Sequence, residues 1–105
     1  MTHRNRQLLD LAHDAPCMLN LSQVCGQNAS VPCHSDLLAH GRGIGHKSHD
    51  AYAVPGCPAC HALFTRAHLG REGYYEVWRN AFERYQLWLW ESGRIRVAEQ
   101  QRRAA

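Results

Sequence analysis

No apolar run anywhere in the 105 residues reaches the length needed to cross a bilayer. The charged opening from Met1 to Gln7 is not backed by an apolar stretch of the kind that directs secretion, so a cytoplasmic location is expected. Internal repeats, linkers and low-complexity tracts are missing too, which reads as one domain over 1–105, with a core at about 14–97 and a frayed tail at 98–105. Charge of one sign is scarce. The formal net charge is only +3 with the histidines neutral, compatible with a nucleic-acid partner without indicating one. A disulfide framework is also disfavoured, because five cysteines leave one over and a reducing compartment keeps thiols free. Metal accounts for the cysteines better, and a domain this small often leans on one for stability.

What the chain does have is Val54-Pro55-Gly56-Cys57-Pro58-Ala59-Cys60-His61. A Cys-x-x-Cys pair turns the backbone so that two thiolates converge, which is half of a tetrahedral zinc site. Cys17 and Cys25 lie upstream, and a hairpin-like loop between them can bring both sulfurs to one side. Cys33 reads as a buried thiol, although spacing alone allows it to replace Cys25. His61 follows Cys60 directly, so its ring points away from the sulfur pair and is available to a second centre, with His34 as its upstream counterpart.

Around these motifs the periodicity is mixed. Residues 4–13 predict a short amphipathic helix with Leu8, Leu11 and Ala12 on one face, stopped before Pro16. Cys17–Leu21 reads as a strand, Ser22–Gly26 as a turn, and residues 29–35 as an extended segment ending near His34. The glycines of residues 41–50 rule out helix or strand there. A second strand is expected over 51–54, closed by Pro55-Gly56, then a helix from the Cys-x-x-Cys to about His68 with Gly70 as its stop. Tyr74, Trp78, Ala81, Phe82, Tyr85, Trp88 and Leu89 recur at helical spacing across 72–92 and predict a long aromatic helix capped by Gly93. Leu87 and Trp90 fall off that stripe and suggest a partner surface, for a second copy or another protein, or a second layer of packing. Residues 94–97 alternate like an edge strand.

Strand, histidine, glycine-rich loop, strand and Cys-x-x-Cys-His helix, in that order, resemble the ββα-metal (HNH) nucleases. More closely, the chain resembles a family of small phage- and prophage-encoded nucleases, the YbcO-like group. The likeness rests on Cys17 and Cys25, Cys33-His34-Ser35, Gly45-His46-Lys47-Ser48-His49-Asp50 and the Val54–His61 segment, and spans roughly residues 8–97. It implies an α+β fold with a zinc-stabilised ββα-metal core, an N-terminal helix and a long C-terminal aromatic helix. It further implies a structural zinc on Cys17, Cys25, Cys57 and Cys60, a general base at His34, and a ligand for a catalytic Mg²⁺, Mn²⁺ or Zn²⁺ at His61. Hydrolysis of DNA in a bacterial host cell is the implied activity. Imidazole suits proton abstraction near neutral pH, and a cation offsets charge building on the phosphate.

Three positions depart from the pattern. Cys33 stands where many HNH enzymes carry a metal-binding aspartate, Thr65 stands where close relatives carry an acidic residue, and the middle asparagine has only His49 or Asp50 nearby. Those two are the candidates for catalytic-metal binding or support. Arg42, His46 and Lys47, among glycines that let backbone amides approach, are candidate phosphate contacts. Two other readings of the Cys-x-x-Cys-His run fare worse. Covalent haem attachment needs export and leaves Cys17 and Cys25 unexplained, and a thioredoxin-like pair needs a βαβ unit. The competing function is a catalytically silent zinc module that binds nucleic acid or protein.

Overall fold

The computed structural model describes residues 4–26, 31–43 and 47–98. Helix α1 (Arg6–Asp14) starts where the Asn5 side chain accepts from the Leu8 backbone N–H at 3.2 Å, so one of the free amides of the first turn is capped. It ends at Ala15, whose extended conformation is the one favoured before proline. Ala12 is buried, with Leu11 packed against the core. Strands β1 (Val31–His34) and β2 (Ala53–Gly56) pair antiparallel, with Cys33 opposite Val54 and His34 opposite Ala53. A short α2 (Pro58–Leu63) follows, with Cys57 at its N-cap and Pro58 in its first turn, where a missing N–H costs nothing. The last element is α3 (Arg66–Glu91), capped by the Thr65 side chain accepting from His68 N–H at 3.1 Å.

The chain is therefore α+β, with a two-stranded sheet and helices around it. The aromatic stripe holds: Tyr74, Trp78, Ala81, Tyr85 and Leu89 are buried, and Phe82 and Trp88 pack against them. Trp78 donates its indole N–H to the Tyr52 carbonyl at 2.9 Å, and Phe64 stacks on Tyr74 with centroids 4.2 Å apart. Leu87 and Trp90 are exposed, as their position off the stripe predicts. No helix of the described residues is long and apolar enough to cross a membrane.

Four expectations about elements need correction. Cys17–Leu21 is not a strand. Asn20 takes a left-handed φ of 50°, and the backbone amides of the segment go elsewhere: Met18 N–H to the Pro55 carbonyl, and Leu21 N–H to a cysteine sulfur. Residues 94–97 form no strand either, because the amides of Arg94 and Ile95 return to the Leu89 carbonyl and close the end of α3, while the Arg94 guanidinium sits 4.6 Å over the Trp88 ring. The second strand is displaced toward the Cys-x-x-Cys. Asp50–Tyr52 form a 3₁₀ turn and Pro55-Gly56 belong to β2. Finally, the helix after the Cys-x-x-Cys ends at Leu63 and α3 begins at Arg66. Gly70, with φ 76° and ψ 168°, kinks α3 where a stop was expected. Residues 99–105, expected to fray, lie outside the described part.

Gly56 sits where the sheet meets the segment carrying Cys17. A β-carbon there would lie 2.6 Å from Leu19 Cδ1 and 2.8 Å from Cys33 Sγ, both side chains being buried. Gly56→Ala is expected to destabilise the fold by about 1–3 kcal/mol, the cost of overpacking a filled core. Denaturant titration should show the midpoint falling at unchanged slope; an unchanged midpoint would mean the neighbours yield freely.

Candidate metal centre and histidine site

The sulfurs of Cys17, Cys25, Cys57 and Cys60 all lie within 4.8 Å of one another. A tetrahedral zinc with Zn–S bonds of about 2.3 Å requires sulfur–sulfur edges of about 3.8 Å, and the Cys25–Cys57 pair is already at 3.9 Å. None of the five cysteines is in a disulfide. The backbone supports thiolate: Cys60 Sγ accepts the amides of Leu21 and Ser22 at 3.3 and 3.4 Å. That is where the hydrogen bonds expected of a strand at 17–21 have gone, and such outer contacts orient and charge a ligand sulfur. Burial raises the Cys57 thiol, but the backbone amides of Cys60 and Gly26 and the sulfurs of Cys60 and Cys25 outweigh it, bringing Cys57 down to about 6. Burial and the neighbouring sulfurs hold Cys60 up despite its two amide donors. Four convergent sulfurs with oriented amides can hold a metal ion such as zinc.

Cys33 does not belong to the set. It is fully buried opposite Val54, and burial, followed by the charges of Cys17, Cys57 and Cys60, pushes its thiol up to about 12. The choice between Cys25 and Cys33 falls to Cys25, on the partly exposed side of the cluster.

A second constellation forms at the end of β1. His34 Nε2 lies 2.9 Å from Asp50 Oδ1, and Asp50 is 3% exposed. The same Oδ1 accepts from an Arg4 guanidinium nitrogen at 2.9 Å, and Oδ2 accepts from the Asn5 backbone N–H at 2.6 Å. Burial alone raises the Asp50 carboxyl, but the bonds from His34, Asn5 and Arg4 more than offset it and the net shift is downward. Asp50 is thus an anion whose two oxygens are already engaged, which fits support of His34 rather than ligation of an ion. Nothing in the sequence signalled Arg4, because its partners lie more than 40 positions away.

His61 is exposed on α2, one residue past Cys60 of the sulfur cluster. His49 is half-buried, its ring 6.2 Å from that of Tyr52 and packed where a β-carbon on Gly41 would sit. Among the described residues, the four cysteines are the only group of three or more His, Cys, Asp or Glu side chains poised for a metal. Arg42 and Lys47 are exposed on the loop, and His46 lies outside the described residues. His40 has an architectural place: its ring stacks on Tyr52 at 4.1 Å and tilts against Trp78 at 4.3 Å, Nδ1 is 2.7 Å from Ser35 Oγ, and burial lowers its pKa. Beyond β1, a groove of about 610 Å³ runs between Leu37 and α3, with Arg66, Arg71 and Arg79 beside Tyr75 and with Glu72 and Glu76 on the same helix. Arg66 is paired there with Asp36 at 3.1 Å.

Comparison with protein-family models, with curated proteins and with solved structures finds no match to this chain.

Proposed function

We propose that this protein is a metal-dependent endonuclease of the ββα-metal (HNH) type, cutting DNA in phage or prophage nucleic-acid metabolism around a structural zinc. One observation carries the reading: a buried carboxylate, Asp50, is hydrogen-bonded to a histidine at the end of β1, in a chain whose next strand runs into a cysteine-held helix bearing His61. An ionised carboxylate only accepts hydrogen bonds, so the proton of the His34–Asp50 contact is on Nε2, which in a neutral ring leaves the lone pair on Nδ1. In that tautomer Nδ1 takes the proton of the attacking water while Asp50 steadies the ring. His61, with a further donor from substrate or solvent, would hold a divalent ion, which supplies charge neutralisation at the phosphate and the leaving oxygen.

A silent zinc module is the second reading, and particular residues favour it. Thr65, at the position where an acid is expected, caps α3, and Cys33, where an aspartate is expected, is a buried thiol. Incubating the zinc-loaded protein with duplex DNA, single-stranded DNA and RNA under Mg²⁺, Mn²⁺, Ni²⁺ or Zn²⁺ decides between them. Chelator-sensitive cleavage is expected; binding without cleavage under every ion would leave the module.

If the loop grips phosphate, Arg42→Ala with Lys47→Ala should weaken DNA binding and reduce the magnitude of the log K against log salt slope by about 2, each lost phosphate contact removing about 0.9. The same affinity and slope in the double variant would make the loop a solvated surface. The three arginines and Tyr75 of the α3 groove offer a strand further cationic and stacking contacts.

A further inference from the structure

Between α1 and the last turns of α3 lies a cavity of about 200 Å³. Leu8 of α1, Ala53 at the start of β2, Leu89 of α3 and Ile95 beyond it give it apolar walls. Those walls are fixed by the backbone: the Leu8 amide is capped by Asn5, and the Ile95 amide returns to the Leu89 carbonyl at 3.3 Å. Two polar side chains, Tyr85 and Gln86, line the cavity as well. Tyr85 is only 5% exposed, yet its hydroxyl has no hydrogen-bond partner among the described residues, and burial alone pushes that hydroxyl up to about 12. Nor is it sealed in the core. Among the described residues, Ser48 Oγ is the one side-chain polar atom both shut off from water and unpaired. With Tyr85 in the cavity wall, its hydroxyl opens on that space. We propose that the cavity binds a neutral, planar, single-ring heterocycle with adjacent hydrogen-bond donor and acceptor groups, the class to which the pyrimidine bases belong.

Size, charge and edge chemistry select that class. An apolar cavity of about 150 Å³ accepts benzene, so the space here fits one substituted ring. No lysine, arginine or histidine lines it, whereas Asp50 does, and a phosphate or carboxylate would find nothing to pair with. A cation fares no better, because both Asp50 oxygens are already engaged by His34, Arg4 and the Asn5 amide. Polar recognition therefore falls to Gln86 and Tyr85. A carboxamide presents a donor beside an acceptor, and a protonated phenol serves as either, which complements the edge of a lactam or an aminopyrimidine. The Gln86 side chain makes no hydrogen bond among the described residues, so its amide is open to such an edge. Apolar walls around a few convergent polar groups are the usual make-up of a small-molecule site.

The inference stands apart from the nuclease reading, and its test needs no cleavage. Cytosine and thymine are each titrated into the zinc-loaded full chain, and the NMR shifts of Leu8, Ala53, Leu89 and Ile95 report binding. At least one base is expected to bind with a Kd of about 1 mM or tighter, and benzoate, an anionic ring, about tenfold more weakly. Tyr85→Phe removes a hydroxyl that holds nothing in the fold, so it should keep the stability of the protein while weakening the base by about fivefold or more. Gln86→Leu should weaken it similarly, and Ala51→Leu should fill the space and abolish binding. No shift with either base at millimolar concentration would leave a hydrated cleft and overturn the proposal. Affinity within twofold of wild type in both Tyr85→Phe and Gln86→Leu would overturn it too, as would unchanged binding in Ala51→Leu or benzoate matching the bases. A thymidine oligonucleotide separates the two sources of such a ring. If it moves the same resonances and loses them in Tyr85→Phe, the ring is an unstacked base of a strand; if only free thymine or cytosine does, it is a small molecule. Wild-type protein that cuts nothing would remove the nuclease reading and leave these titrations to decide the cavity.

Discussion

Cys57→Ser and Cys17→Ser are each expected to release about one zinc per chain and to unfold the domain. The four sulfurs join three separate pieces of chain, the Cys17 segment, the turn at Cys25 and the start of α2, and without metal they are close-set groups, three of them buried, whose mutual repulsion grows as they ionise. Structural zinc in small domains supplies about 10–16 kcal/mol of apparent binding free energy, against a net folding stability of about 5–15 kcal/mol. Losing one thiolate of four therefore removes stabilisation on the scale of the whole fold. Serine keeps the size of the side chain but offers a hydroxyl that does not ionise near neutral pH, so it is a clean deletion of the ligand. Cys33→Ser is the control: it should keep its zinc and lose only about 1–3 kcal/mol, the cost of an ill-satisfied hydroxyl in a closed apolar site. Elemental analysis with circular dichroism reads both quantities. Well-folded wild-type protein without zinc would sink the proposal, and loss of zinc from Cys33→Ser but not from Cys25→Ser would reassign the fourth ligand.

His34→Ala and His61→Ala should each lower divalent-ion-dependent DNA cleavage by about 100-fold or more, equal to about 2.7 kcal/mol in the barrier. Both variants should remain folded and zinc-loaded, because neither histidine is among the cysteine-held ligands. For His34 the geometry gives a further reason: Asp50 keeps Arg4 and the Asn5 amide when the imidazole is gone, so no unpaired buried anion is left behind. The two losses should part company when metal is added. Weaker ion binding in His61→Ala is overcome by mass action, so millimolar Mn²⁺ or Mg²⁺ should restore part of the rate. A missing base in His34→Ala is not a binding defect and should ignore metal concentration. Single-turnover rates across a metal titration separate these cases. Equal rescue of both variants would place both histidines on the ion, and full activity in either would remove that residue from the chemistry.

Wherever neighbours in sequence decide the outcome, the sequence alone determined it. The helix over 72–92 was legible because seven apolar residues repeat at helical spacing and Gly93 closes them, a pattern that burial of one face then enforces. The Cys-x-x-Cys turn was legible for the same local reason, and an odd cysteine count already argued for metal over disulfides. Cys17 and Cys25 could be named as partners for the pair, but only folding brings their sulfurs within reach of it and leaves Cys33 outside the group, against Leu19 and Gly56. The missing strand at 17–21 has the same origin. The short apolar run there reads as a strand, yet the amides of Leu21 and Ser22 find a buried sulfur closer than any strand, and a backbone donor takes whichever acceptor the tertiary fold supplies. Least legible of all was the Arg4–Asp50–His34 cluster. An ion pair spanning 46 positions leaves no periodicity and no motif, since its stability comes from removing Asp50 from water beside two donors that the folded chain, and nothing in their spacing, sets against it.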